Sequence, residues 1–355
     1  MVRRVLLGRR DDGSRALRWA GPPRLLVLAT VAAFVVVPLV DDDRDPPAQV
    51  TNVAAHSPGT PAPRRALGPT TVRPEERPAS VLGGTAARGI APVQPKPVRV
   101  GVASLNMFRK LTVDQARRDA LTLTRRPAVD VVGWQEAQRF GSVLRSLPGW
   151  QSRTFAFGGG TSELAVSWRA AEFRLVSARQ QLVARGVSAE AGRYPFGGRL
   201  VAVVTLAHRD TGRLLTVVNT HLPQAIEDLE RPGHWTETIN AYRARQQLQR
   251  LAALWKGAPG RWVVGTGDFN FDAGADARNR PAGGPRRALE RTAVSSYQEL
   301  GTDVAATFPA HGRRIDYVWA DREAYDAGRM RFAGQWVLSG LNSDHHALVA
   351  SVVLS

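Results

Sequence analysis

The sequence predicts an α+β domain in which two β-sheets stack face to face and are flanked by helices. Three observations predict it. Eight apolar, β-branched runs of four to eight residues recur between residues 98 and 355, the length and composition of buried strands. Only two longer segments carry helical spacing. The runs outnumber the helices, so strand layers must pack mainly on one another.

The elements follow in order. Residues 1–24 carry seven arginines, among them Arg3, Arg4, Arg9 and Arg10, and residues 25–40 are an uncharged apolar run closed by Asp41, Asp42 and Asp43. A basic flank, an apolar run and an acidic exit read as an export signal or an uncleaved signal anchor, with the basic side held in the cytoplasm. At 16 residues the run is close to the lower limit of about 17 for a span, and no small-x-small cleavage site follows it. Residues 41–97 hold 11 of the 23 prolines. That segment has too few large apolar residues to bury and reads as an extended tether.

The regular pattern begins at Val98. The runs are Val98–Leu105, Val129–Trp134, Leu164–Trp168, Leu200–Leu206, Leu214–Val218, Trp262–Gly265, Ile315–Trp319 and Ala347–Leu354. The predicted helices are Val113–Arg125 and Thr238–Lys256, the second with Leu248, Leu251, Ala252 and Trp255 on one face. Residues 98–355 therefore form the folded domain. No internal repeat is visible.

Charge and composition narrow the function. The absence of cysteine excludes disulfides, thiolate metal sites and a cysteine nucleophile. From Pro97 onward the chain holds 34 Lys and Arg against 23 Asp and Glu, a net of +11. Such a balance attracts polyanions, nucleic acid or anionic lipid headgroups, although Arg also serves as ordinary surface in an Arg-rich, Lys-poor chain.

Chemistry-bearing residues gather where the runs end. Asn106 closes the first run, Gln135-Glu136 the second, and Asn219-Thr220-His221 the fifth; Asp268-Phe269-Asn270 follows the sixth, Asp316 opens the seventh, and Ser343-Asp344-His345 precedes the last. Taken singly, each is more often a turn residue, a strand cap or a solvated charge. Together they place carboxylates and an amide, the hard oxygen ligands of Mg²⁺ or Mn²⁺, beside histidines able to move protons near neutral pH. Cleaving a phosphate ester needs both.

The ordered set Ser104-Leu105-Asn106, Gly133-Trp134-Gln135-Glu136, Val218-Asn219-Thr220-His221-Leu222, Gly267-Asp268-Phe269-Asn270, Arg314-Ile315-Asp316-Tyr317-Val318 and Ser343-Asp344-His345-His346 resembles the endonuclease/exonuclease/phosphatase superfamily. That group includes deoxyribonuclease-I-like nucleases, neutral sphingomyelinases and inositol polyphosphate 5-phosphatases. The resemblance implies a four-layer α/β/β/α sandwich and a divalent-metal-dependent phosphoesterase. It implies Glu136 as principal metal ligand, supported by Asn106 and completed by Asp344. His345 acts on the attacking water or the phosphate, oriented by Asp316. Asp268 is the other candidate for activating water, Asn270 holds a phosphate oxygen, and His221 stabilises the transition state or assists the leaving group. The resemblance further implies a phosphate contact from Arg199, with Arg193 as its alternative, and a Glu163 carboxylate paired with His221. His346 reads as structural, and His208, His234 and His311 as surface or loop residues.

One departure stands out. Abasic-site endonucleases of this group carry a catalytic tyrosine in mid-domain, and Tyr194, the only candidate before the His221 motif, has unmatched flanks. The expected activity is an extracytoplasmic nuclease, with a sphingomyelinase-like headgroup phosphodiesterase as the alternative. A non-catalytic binding module is disfavoured, because every ligand and proton-transfer position of the motif set is filled.

Overall fold

The computed structural model describes residues 96–155, 163–192 and 194–355. The basic N-terminus, the expected anchor, nearly all of the expected tether, and Arg193 lie outside the described residues. No helix among the described residues is long and apolar enough to cross a membrane.

Among the described residues, twelve strands and seven α-helices follow one another as β1 (Val98–Asn106), α1 (Val113–Thr124), β2 (Val131–Gln135), α2 (Gly141–Arg145), β3 (Trp150–Thr154), β4 (Ala165–Arg169), β5 (Phe173–Ala184), β6 (Arg199–His208), β7 (Leu214–His221), α3 (Ile239–Lys256), β8 (Trp262–Asp268), α4 (Ala273–Asn279), α5 (Pro285–Leu289), β9 (Ala293–Ser295), α6 (Ser296–Leu300), β10 (Asp316–Asp321), α7 (Arg322–Asp326), β11 (Met330–Leu338) and β12 (Ala347–Leu354). They build two six-stranded mixed sheets, ordered β11-β12-β1-β2-β4-β3 and β5-β6-β7-β8-β10-β9.

The period of two along each strand explains the layering. On β1, Val100 and Val102 face the core between the sheets, whereas Ala103 and Leu105 join a second core under α1 and α2. Strands buried on both faces must be apolar almost throughout, which is why they were visible as continuous runs. Helix α3 covers the second sheet with Leu248, Leu251 and Trp255, and Ala252 packs at the margin of that core. Thr112 and Thr238 start α1 and α3 by accepting from the backbone N–H of Gln115 and Ala241. Helices thus cover both outer faces of a two-sheet sandwich. The sheets approach closely at Gly133, where a Cβ would lie 1.9 Å from the Thr266 hydroxyl; only glycine fits there.

Four strands, β3, β5, β9 and β11, lie beyond the predicted runs. They occupy the sheet edges; in β3, β5 and β11 polar residues that meet solvent break the apolar run, and β9 is only 3 buried residues long. Strand β5 shows this best, with Arg174, Arg179, Gln180 and Gln181 interleaved through it.

Candidate active site

Strand direction gathers the functional side chains at one end of the sandwich. In the first sheet β1 and β2 run parallel with Asn106 opposite Gln135, and β12 begins beside the end of β1. In the second sheet β7 and β8 run parallel with His221 opposite Asp268, and β10 runs against β8 with Asp316 opposite Asp268. The ends of β1, β2, β7 and β8 and the beginnings of β10 and β12 therefore share one edge. There Asn106, Glu136, Arg199, His221, Asp268, Asn270, Asp344 and His345 line one open pocket of about 250 Å³.

Asp268 is the hub. Its Oδ2 accepts from Asn106 Nδ2 at 3.0 Å, and lies 3.5 Å from His221 Nε2 and 3.7 Å from His345 Nε2. Its Oδ1 accepts from the backbone N–H of Asn270 at 2.8 Å. That turn holds Asn270 at φ 50°, a left-handed conformation that Asn tolerates better than most residues. Asn270 Nδ2 donates to Leu222 O at 3.0 Å and sits 3.4 Å from His221 Nε2.

Each histidine is backed by a carboxylate from the opposite sheet. His345 Nδ1 meets Asp316 Oδ2 at 2.9 Å, and Asp316 is fully buried. His221 Nδ1 meets Glu163 Oε2 at 3.3 Å, and Glu163 Oε1 accepts from Arg199 at 2.5 Å. Arg199 is itself buried, with its guanidinium 4.6 Å from the Phe196 ring. It therefore lines the pocket as a partner of Glu163 rather than as a free cation.

These contacts set the proton affinities. Burial pushes Glu163 up, but Arg199 and His221 outweigh it and hold the carboxyl down at about 2. Burial disfavours the His221 imidazolium, yet Glu163 and Asp268 raise its pKa overall. His345 is likewise penalised by burial and lifted to about 10 by Asp316 and Asp268. Burial pushes Asp316 up to about 6 against the opposing charge of His345. The direction we assign to this pair is a stabilised imidazolium, because His345 faces both Asp316 and Asp268 at close range.

Glu136, Asp268 and Asp344 are three carboxylates on one pocket. Burial raises the Asp344 pKa, and the charges of Glu136 and Asp268 raise it further. Mutually repelling carboxylates beside the Asn106 amide form a hard-oxygen set that suits a divalent cation. Glu136 is aimed into the pocket by a left-handed backbone, φ 52°, and its Oε2 accepts from the N–H of Arg109 at 2.9 Å. Asp268, Asp316 and His345 also lie close enough to share an ion, but the Asp316–His345 hydrogen bond already occupies the facing atoms, and this group reads as a proton-holding relay.

Several further residues support the site. Asp119 on α1 accepts from the N–H groups of Asn342 and Ser343, both at 2.9 Å, and fixes the loop that delivers Asp344 and His345. Asn219 spans the two sheets, donating to Trp134 O and Ala165 O and accepting from Gln135 Nε2. The Thr307 hydroxyl accepts from the Asp316 N–H. Phe108, Tyr194, Phe196 and Phe308 rim the pocket. His346 is structural, its Nδ1 3.2 Å from Ala306 O. His208 corrects the surface reading: it ends β6 in a buried position against Phe173 and Thr211, because the apolar run continues through it.

Comparison with known proteins agrees with this fold. No curated protein matches the chain in sequence. A Bacteroides vulgatus endonuclease/exonuclease/phosphatase structure superposes with a TM-score of 0.55 at 16% identity, covering 73% of this chain and 100% of that one. A family protein from Bacteroides thetaiotaomicron gives 0.54 at 16%, covering 74% and 100%. D. rerio TDP2 complexed with a single-strand DNA product gives 0.50 at 15%, covering 72% and 98%. These likenesses establish the deoxyribonuclease-I-like four-layer fold. The sequence pattern of the Endonuclease/Exonuclease/phosphatase family matches residues 103–345, which spans every strand-end motif from Asn106 to His345, and the chain therefore belongs to that family of phosphate-ester hydrolases.

Proposed function

We propose that the protein is an extracytoplasmic nuclease that hydrolyses phosphodiester bonds with a divalent cation, Mg²⁺ or Mn²⁺, held by Glu136, Asp344 and Asn106. The observation that carries this reading is the position of Asp268 Oδ2 between the Nε2 atoms of His221 and His345, at 3.5 and 3.7 Å. When bound, the cation supplies positive charge against the phosphate and acidifies water.

The chain's own residues divide the remaining work. Asp268 accepts the proton of the attacking water as its oxygen bonds to phosphorus. The His345 imidazolium, held by Asp316, neutralises charge on a phosphoryl oxygen, and Asn270 donates to another. The phosphorus–oxygen bond to the leaving group breaks, and His221 Nε2–H gives its proton to that oxygen. Glu163 keeps the His221 imidazolium oriented, and Arg199 keeps Glu163 charged. The proton on Asp268 then passes to His221, which restores both groups. The net charge of +11 beyond Pro97 supports a polyanionic substrate, since phosphate neutralisation is the main source of nucleic-acid affinity. The basic, apolar and acidic order of residues 1–43 supports placement of the domain outside the cytoplasm.

The test incubates the full chain with single- and double-stranded DNA, RNA and sphingomyelin vesicles, each with magnesium and with chelator. Chelator-sensitive cleavage of DNA or RNA is expected, with a weaker magnesium response in Glu136→Gln. Cleavage of sphingomyelin alone would replace the nuclease by a headgroup phosphodiesterase. An unchanged magnesium response in Glu136→Gln would remove that residue from the cation site.

A further inference from the structure

Beside the catalytic pocket lies a second cavity, of about 430 Å³, and Tyr194 lines both. The two spaces are divided by the Tyr194 segment and the Gln224-Ala225 turn, Gln224 facing the pocket and Ala225 the cavity. The partition is fixed rather than incidental. Buried Asn240, on the first turn of α3, donates through Nδ2 to both Tyr194 O and Gln224 O at 3.1 Å.

The cavity has a different chemistry from its neighbour. Ala191, Ala225 and Ile239 give it apolar walls, and among the described residues no Lys or Arg lines it. Its threonine hydroxyls are committed to the protein: Thr236 Oγ1 donates to Ala225 O at 3.0 Å, and Thr238 Oγ1 accepts from Ala241 N at 3.2 Å. Glu237 is exposed, and among the described residues it makes no ion pair. It is the one carboxylate on this wall. A second phosphate would be repelled by Glu237, and an acyl chain would place that carboxylate against hydrocarbon. A flat, uncharged ring bearing an amino group satisfies both the aromatic wall and the lone acceptor.

We propose that this cavity is a nucleobase subsite: the base flanking the scissile phosphate stacks on Tyr194, and Glu237 accepts from its exocyclic amino group. The assignment rests on the phosphodiesterase reading of the adjoining pocket and names the part of the substrate that the pocket itself does not hold. Adenine, cytosine and guanine carry such an amino group; thymine and uracil do not. Tyr194, an unmatched tyrosine in the sequence, thereby becomes a specificity-determining residue. The unpaired, splayed base that the geometry accepts belongs to a single strand or a frayed end.

The experiment measures kcat/KM of the full chain with magnesium on DNA hexamers of adenine, of cytosine and of thymine, and on an abasic hexamer of the same backbone. Adenine and cytosine hexamers are expected to exceed thymine, and the abasic hexamer to be poorest. Tyr194→Ala should lower kcat/KM on base-bearing hexamers about tenfold more than on the abasic hexamer, through KM, while Tyr194→Phe should retain the preference. Glu237→Gln should level adenine with thymine. Equal cleavage of abasic and base-bearing hexamers by the parent, or an equal loss on both in Tyr194→Ala, would overturn the subsite. Absence of cleavage of every hexamer would defeat the phosphodiesterase reading instead. Fluorescence anisotropy with labelled hexamers then decides the subsite: a greater loss of adenine-hexamer than of abasic binding in Tyr194→Ala supports it, and no difference refutes it.

Discussion

His221 and His345 stand on either side of one carboxylate oxygen, and each takes its orientation from a carboxylate on the opposite sheet, yet the two pairs are balanced differently. Glu163 faces His221 and also Arg199, so a buried anion is met by two cationic partners and its carboxyl is held at about 2. Asp316 faces His345 alone, its second oxygen has no hydrogen-bond partner, and burial pushes it up to about 6. The first pair is an anchored structural ion cluster that also orients a histidine. The second depends on the histidine for its charge, and the histidine depends on it. The same two residue types thus serve stability in one place and proton affinity in the other, because a single arginine is present or absent.

The sharpest way to break this contrast is to remove each histidine. His345→Ala should cut kcat by about 10³-fold while the chain still folds with a cooperative circular-dichroism melt, because Asp316 can take up a proton when its partner is lost. A variant that fails to fold would instead make His345 a structural residue. Second, Glu163→Gln leaves Arg199 buried and uncompensated, and should cost about 3 kcal/mol, lowering Tm by roughly 6–12 °C. Glu163→Gln combined with Arg199→Met should recover most of that loss by calorimetry. No recovery would mean that Arg199 is stabilised by something other than Glu163.

Third, the two pairs should give stability opposite pH arms. Folded Glu163 releases its proton at about 2 against 4.5 for the free group, so between those values the unfolded chain holds more protons. Its contribution is complete above pH 4.5 and fades as pH falls towards 2. His345, raised from 6.5 to about 10, contributes fully below 6.5 and fades as pH rises towards 10. Tm profiles should therefore lose the acid arm in Glu163→Gln and the alkaline arm in His345→Ala; identical profiles would refute the contrast. The smallest expected effect is in Asp119→Asn. It weakens the hold on Asn342 and Ser343 and should lower kcat several-fold with about 1–2 kcal/mol of stability lost, read by kinetics and denaturant titration.

Much of this was legible in the sequence for an identifiable reason. All eight predicted runs became strands, because strands buried on both faces tolerate few polar residues. The edge strands β3, β5 and β11 were not legible, since many of their positions meet water at least in part and the alternation is diluted; β9 was not legible because its 3 buried residues make too short a run. At the site, Asn106, Glu136, His221, Asp268, Asn270, Asp344 and His345 were marked by their position where runs end or begin, and Asp316 by an apolar surrounding. Glu163 and Arg199 came only through the family resemblance. Asp119 carried no signal, because it acts on a segment distant in sequence; Asp119 and Ser343 are 224 positions apart. Thr307, which lies 9 positions before Asp316, belongs to no apolar run, and Asn219 was marked by its strand-end motif but not by its role, since its partners lie on the other sheet. His208 was misread because a polar residue at the end of an apolar run looks the same whether it faces solvent or a neighbouring ring.

Each histidine and its supporting carboxylate arrive from different sheets, so neither sheet contains a working pair. Sliding one sheet past the other by a single strand residue, about 3.3 Å, would separate both pairs at once while leaving every strand ladder intact. Turnover is therefore a gauge of how the two halves of the sandwich mesh. On gentle heating it should vanish together with the close Gly133–Thr266 contact, before backbone signals that report only the strands themselves.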